Sequence, residues 1–301
     1  MKYVVVISGP TAVGKTALSI AIAQYFNTEI ISADSRQFFK EIPIGTAAPS
    51  YEEMNLVHHH CVGNLSITDY YNAFKFEQDA LQILSKLFNN HDIVIVSGGS
   101  GLYIDALCNG IDDIPDIDSN IRQYVINQYT SQGIESLRST LQKLDIEYYR
   151  IVDLKNPARL MRAIEVCLQT GKTYTSVRTQ TSKKRDFVTI KIALNLPRNQ
   201  LYERINARVD AMITEGLEQE AKSVIHYRNQ TALKTVGYKE LFDYFDGNIS
   251  KQDAIDTIKQ NTRNYAKRQI SWLKRDSLYT WFEPHNASEI ISFIERIIDG
   301  E

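Results

Sequence analysis

The chain has 301 residues, 43% of them hydrophobic and 23% charged, a balance ordinary for a globular protein, and its length predicts one large domain with an insertion or two domains. A formal net charge of -2 excludes an overall bias toward polyanions or membrane surfaces, so any nucleic-acid site has to come from local clustering. Cys61, Cys108 and Cys167 form no metal-type pair or disulfide framework, and the apolar run before Gly9 is too short for a leader or a bilayer span; a cytoplasmic location and no membrane partner are expected.

In chain order, the first predicted strand, YVVVISG at 3–9, runs into GPTAVGKT. Gly9, Pro10, Thr11, Ala12, Val13, Gly14, Lys15 and Thr16 match G-x-x-x-x-G-K-[ST] in full, between a strand and the predicted helix Lys15–Phe26. Such a loop, usually associated with ATP and other nucleotides, turns backbone N–H groups and a helix N-terminus toward phosphate oxygens. Lys15 supplies positive charge and the Thr16 hydroxyl a ligand for Mg²⁺. Further buried strands are predicted at 29–34, 92–99 and 187–196, and another at 278–284. Helical stretches are read at Thr68–Asn89, Gly101–Asn109, Asn199–Arg228, Leu233–Phe245 and Ser250–Arg275, with a short helix from Ala287. Alternating strands and helices imply a parallel α/β sheet flanked by helices, and the polar stretch 111–186 reads as a helical insertion domain. The remaining core covers 1–110 and 187–301.

The predicted strand DIVIVSGG ends without Asp or Glu, so the second acid of hydrolytic P-loop proteins is missing and a group transferase is favoured over a motor or switch. Asp34 ends the second strand, at the rim where open sheets bind ligands; it is placed either to accept a proton, to cap the next segment or to hold Mg²⁺ through water. Ser100 offers a hydroxyl at the same rim, or marks a plain strand–turn–helix corner. Arg204 and Arg208 stand one helical turn apart, either closing over a departing phosphate or pairing on the surface with Glu203 or Asp210. Lys259, Arg263 and Lys267 make a stripe on the last long helix, which is either an RNA-backbone contact or a solvated face. His58, His59, His60 and Cys61 suggest a metal, but consecutive side chains do not converge as ligands without special backbone, so zinc is disfavoured and the role of His58–His60 stays open; Tyr148–Tyr149 is read as packing.

Taken in order, GPTAVGKT, SADSRQ, IGTAAP, HHHCV, GGSGLY, NPARLMRAIEV, LYERINARVDAMITEGL, TVGYKE and NTRNYAKRQISWLKR make the chain resemble the bacterial tRNA dimethylallyltransferases over nearly its whole length. The resemblance implies a P-loop kinase-like fold. It also implies transfer of a dimethylallyl group to the adenosine 3′-adjacent to the anticodon, in tRNAs reading codons that begin with U. Gly9 to Thr16 would then hold the diphosphate of dimethylallyl diphosphate, not ATP, with Mg²⁺ at Thr16. Lys15 and Arg208 would stabilise the leaving group, Asp34 would accept the proton, and Ser100, where Thr is common in the family, would orient the acceptor. Contacts to the tRNA anticodon stem-loop would come from Asp34, Ser35, Arg36, Gln37, Ser100 and Arg122. Ala158, Arg159, Leu160, Met161, Arg162, Lys234, Gly237 and Lys239 would add to them, with Arg263 and Lys267 from the stripe. FFK at 38–40 departs from the commoner family pattern. A monomer is expected.

Overall fold

The computed structural model describes residues 1–178 and 182–300. It divides into two compact units, Met1–Asn109 with Lys184–Glu301, and Gly110–Lys183. In the larger unit six strands form one parallel sheet: β1 (Tyr3–Ser8), β2 (Ile30–Ser32), β3 (His59–His60), β4 (Ile93–Gly98), β5 (Val188–Leu194) and β6 (Thr280–Phe282), in the order β3-β2-β4-β1-β5-β6.

β1 is buried along its full length, as a central parallel strand must be, and strand alternation divides its side chains between two cores. Val5 and Ile7 pack with Ile22 of the helix Lys15–Tyr25 and with Ile290 and Ile294 of the helix Ala287–Asp299. Val4 and Val6 face the opposite way, onto Phe76 and Leu84 of Ala73–Leu87 and Ile104 and Leu107 of Gly101–Asn109. Even Lys191 in β5 is buried, and its ammonium donates to Asp276 at 2.7 Å. A third core gathers the C-terminal helices. Val209, Leu217, Leu233, Tyr238, Leu241 and Ile258 close on Phe39 and Ile42 just after β2.

Several predicted elements change at glycines. The expected helix 199–228 is two helices, Arg198–Glu215 and Leu217–Ser223, because Gly216 takes φ +108° between them. The stretch 233–245 begins its α-helix only at Tyr238, after Gly237 at φ +101°; residues 231–233 form a 3₁₀ turn instead. β3 was not expected: two residues are too short for a hydrophobic pattern to register. The last long helix, Lys251–Leu273, starts at Ser250 with a capping box to Asp253.

The insertion has its own core of Val125, Leu137, Leu141, Tyr148, Leu160, Ala163 and Ile164. Its long helical segment Ser119–Leu144 reverses at Gly133, and Pro157–Thr170 starts at the Asn156 cap and stops at Gly171 in the left-handed region. Tyr148 is buried edge-on against Tyr174 at 4.6 Å, so it packs as expected. Among the described residues no helix is long and apolar enough to cross a membrane.

What positions the site is the glycine corner after β4. A Cβ at Gly98 would collide with the Ala33 carbonyl at the end of β2, one at Gly99 with the Gln269 amide, and one at Gly101 with the Trp272 ring. The missing side chains let the end of β2 and the helix Lys251–Leu273 press onto the same corner. Gly98→Ala is expected to lower stability by about 2 kcal/mol or more, since the Ala33 backbone has to give way; chemical denaturation against the unmodified chain measures it.

Candidate active site

Beyond the C-terminal ends of the strands lies a cavity of about 920 Å³, the rim where open parallel sheets place ligands. Its floor is the phosphate loop. Thr11, Ala12, Gly14, Lys15 and Thr16 line the cavity, whereas Val13 is fully buried in the core and Gly9 lies against the Leu194 carbonyl. Gly14 takes φ +111° and leaves the N-terminus of Lys15–Tyr25 without a side-chain cap, so its first N–H groups are available to an anion. Gln269 braces the loop from behind: its Oε1 accepts from Thr11 N at 2.8 Å and its Nε2 donates to Gly99 O at 2.9 Å.

Three cations surround this floor. Lys15 is half-buried at the cavity floor and donates to Gly9 O at 3.0 Å and Pro10 O at 2.9 Å. Loss of water lowers its pKa to about 8, with Asp34 acting to raise it and Arg208 to lower it further. Arg208 is shifted downward mainly by its own burial, opposed by Asp34, Glu53 and Glu215, and its Nη1 lies 3.5 Å from Thr11 Oγ1. Arg204, one turn earlier, brings its guanidinium against Gly14, so both arginines face the cavity and neither is a surface ion pair. The site-residue set read from the resemblance held Arg208 but omitted Arg204.

Asp34 lines the same cavity, with Ser35, Arg36 and Gln37. One carboxylate oxygen accepts from Arg36 N at 3.0 Å, so Asp34 both shapes its own turn and faces the cavity. Gln37 fastens the next loop, accepting from Ser32 Oγ at 2.9 Å and donating to Ala47 O at 2.9 Å. Ser100 is buried and stands behind Asp34's turn rather than among the lining residues. Its Oγ accepts from Ser35 N at 2.9 Å and is hydrogen-bonded to Tyr265, whose hydroxyl is raised to about 12 mainly by burial. Both aromatic residues of FFK turn inward, Phe38 onto Tyr71, Phe76 and Tyr103 and Phe39 into the third core.

Lys234, Gly237 and Lys239 line the cavity together with Thr235 and Val236. The basic stripe does not. Lys259 pairs with Asp210 at 2.6 Å and Arg263 donates to Asn206 at 2.6 Å, so these residues form a seam with the helix Arg198–Glu215. Lys267 is exposed beside Tyr202, away from the cavity. The cavity receives another face of that helix, Ile258, Asn261, Thr262, Tyr265, Arg268 and Gln269, in helical spacing. Regular charge spacing marked a face, but the seam uses it for packing.

In the insertion, Ala158 and Arg159 are exposed and Met161 and Arg162 half-buried; Leu160 is fully buried, so its side chain packs and meets no ligand. Arg122 and Arg162 approach the buried Glu165 at 3.8 and 4.0 Å.

The chain matches the family model described as IPP transferase over residues 37–276. The chain belongs to that family. It is 50% identical to tRNA dimethylallyltransferase 1 of Bacteroides thetaiotaomicron over 98% of this chain and 96% of the relative. It is 47% identical to tRNA dimethylallyltransferase of Cytophaga hutchinsonii over 98% and 97%. The solved tRNA isopentenylpyrophosphate transferase of Bacillus halodurans superposes with a TM-score of 0.71 at 33% identity, covering 100% of this chain and 96% of that one. A eukaryotic dimethylallyltransferase acting on tRNA gives 0.79 at 25% identity, covering 100% and 80%. The fold is thus the P-loop kinase-like one of the IPP transferases.

In this IPP transferase, one site-supporting residue left no trace in sequence patterning. Glu220 accepts from Ile44 N and Gly45 N, each at 2.8 Å, and from Tyr238 OH at 2.6 Å, holding the IGTAA loop at the cavity edge. A Cβ at Gly45 would meet the Tyr238 ring, so loop, carboxylate and phenol fit as one piece. Glu220→Ala strands these donors and is expected to cost about 3 kcal/mol, against about 1 kcal/mol for Tyr238→Phe; urea titration of both variants checks the ratio.

Proposed function

We propose that the chain transfers the five-carbon allyl group of dimethylallyl diphosphate to the exocyclic amine of the adenosine 3′-adjacent to the anticodon, in tRNAs reading codons that begin with U, and releases diphosphate. The observation that carries this reading is a single cavity lined by Lys15, Arg204 and Arg208 around an uncapped phosphate loop and by Asp34, in a chain of the IPP transferase family. The relatives named for tRNA dimethylallyl transfer support it.

The adenine amine is a weak nucleophile because its lone pair is delocalised into the ring. As its nitrogen bonds to the allylic carbon, the carbon–oxygen bond to diphosphate breaks, the electron pair leaves with the diphosphate, and a proton passes from the amine to Asp34. Positive character on the allyl carbon is tolerated, so stabilising the departing diphosphate is the larger contribution. Lys15, Arg204, Arg208 and the N–H groups after Gly14 are placed to supply it. Thr16 lines the cavity, and one hydroxyl with phosphate oxygens and water is a donor set that suits Mg²⁺; when bound, the ion neutralises diphosphate charge. Tyr265 and Ser100 hold Ser35 and thereby the turn that aims Asp34. Ser35, Arg36, Lys234, Lys239 and Arg268 ring the cavity as RNA contacts, and Ala158, Arg159 and Arg162 are RNA contacts of the insertion unit by itself. Unstacking the adenine costs a few kcal/mol, which such contacts offset. A cytoplasmic monomer fits this reading.

Nucleoside mass analysis of tRNA treated with the chain, dimethylallyl diphosphate and Mg²⁺ is expected to show a five-carbon gain on one adenosine without ATP. Strict ATP dependence, or no gain, defeats the proposal. Asp34→Asn is expected to cut single-turnover transfer by about 10²–10⁴-fold while tRNA affinity holds; equal losses in both remove its role as proton acceptor. Because a bound diphosphate favours charged Lys15, affinity for dimethylallyl diphosphate should be level below pH 8. Above that pH it should weaken by about tenfold per unit, as the proton lost from free Lys15 has to be restored on binding. Lys15→Met is expected to bind weakly and with a flat profile, measured by calorimetry.

A further inference from the structure

We propose that Glu29, His58 and His60 form a site for one first-row divalent cation, with Zn²⁺ the best match, at the outer edge of the sheet. Their potential ligand atoms, a carboxylate oxygen and two imidazole nitrogens, lie within 4.8 Å of one another. His60 Nε2 is 2.7 Å from Glu29 Oε2, and the His58 and His60 rings stand edge-on with centroids 4.4 Å apart.

The backbone explains why three consecutive histidines yield two convergent ones. β3 pairs in parallel with β2, Ile30 opposite His59 and Ile31 opposite His60, and Ile30 N donates to His58 O at 3.0 Å. Side chains alternate along a strand, so His58 and His60 share one face and His59 takes the other. His59 is buried, with Nδ1 2.8 Å from Val57 O. Glu29 directly precedes β2 and lies on the same face as Ile31, so register brings it opposite His58. The expectation that HHHC cannot converge is correct for neighbours and fails for residues two apart on a strand.

The chemistry selects the ion. Two imidazoles with one carboxylate suit zinc and its first-row neighbours, whereas Mg²⁺ and Ca²⁺ take oxygen sets. Bond lengths of about 2.0–2.2 Å in a tetrahedral site place ligand atoms roughly 3.3 Å apart. The Glu29–His60 pair has to open by a fraction of an ångström as the cation replaces the shared proton, and exposed His58 is free to turn inward. Three protein ligands leave the fourth position to water. Cys61 is no competitor, since it is buried in the second core and is not among the convergent ligand atoms. The site stands at the start of β2, while Asp34 lies beyond its other end, so the ion staples the two-residue β3 to the sheet and takes no part in transfer.

The test is calorimetric titration of the chelator-treated full chain with Zn²⁺ in excess Mg²⁺, alongside His58→Ala and Glu29→Gln. One ion per chain is expected. Each variant should bind at least about tenfold more weakly, and Zn²⁺ should raise the melting temperature of the parent chain but not of His58→Ala. His58 is exposed, so His58→Ala without metal is expected to melt with the parent chain and to retain prenyl transfer. Co²⁺ should give the intense visible bands of a four-coordinate ion. Equal Zn²⁺ affinity in parent and variants, no Zn²⁺ binding, or displacement of Zn²⁺ by Mg²⁺ overturns the proposal.

Discussion

A lysine that has lost much of its hydration lines the cavity of this protein, and the residues around it make that tolerable. Lost hydration presses the pKa of half-buried Lys15 down, Asp34 pulls it back up, and Arg208 adds a smaller downward push. Like charges at close range repel, and burial strengthens the repulsion because little solvent screens it. What offsets it is the Asp34 carboxylate in the same cavity, two loop carbonyls, and the acids Glu53 and Glu215 acting on Arg208. An anion with several negative oxygens relieves such a site more completely than any of these, so the cradle's unfavourable electrostatics become binding energy for a diphosphate.

That arrangement demands that distant segments meet with little slack, and small residues with amide or carboxylate clamps supply the fit. Gly98, Gly99 and Gly101 let β2 and the helix Lys251–Leu273 approach one corner. Gln269, reaching from that helix, bridges the phosphate loop and the β4 turn with one side chain. Glu220 does the same for the IGTAA loop and Tyr238. Gln269 reaches the phosphate loop and the β4 turn, and Glu220 the IGTAA loop, each across 170 or more positions of sequence.

The sequence exposed the parts of this design that repeat locally. The phosphate loop, the buried strands, the Ser250 cap and the pair Arg204–Arg208 are patterns within a dozen residues, and spacing reveals them. The clamps are single polar residues whose partners lie far along the chain, so no local pattern announces Gln269 or Glu220. The basic stripe divides for a related reason: periodicity identifies a helix face but not its neighbour, and Asp210 and Asn206 draw Lys259 and Arg263 into a seam while Lys267 stays exposed. Ser100 sits one layer behind the expected rim because strand ends predict where a side chain stands, not the backbone donor it meets. Two-residue β3 carries too little pattern to be read, and with it went the register that sets His58 and His60 side by side.

The end of β4 separates this site from the nucleotide hydrolases whose loop it shares. Where those enzymes place a metal-holding acid, Ser97 stands here, its hydroxyl 2.7 Å from Ser19 Oγ. An acid at that position helps align metal and water for attack at phosphorus. In the proposed reaction the bond that breaks joins carbon to oxygen, and phosphorus keeps all its substituents, so nothing has to be aligned in line with it. The loop needs only to accept the charge that leaves with the bridging oxygen, which backbone N–H groups, Lys15 and the two arginines do without a second carboxylate. Removing that acid also removes repulsion from a cavity that has to admit a diphosphate and the phosphates of an RNA. Of the acids that line the cavity, Asp34, Glu53 and Glu240, the proposed reaction assigns the proton to Asp34, which opens the turn after β2.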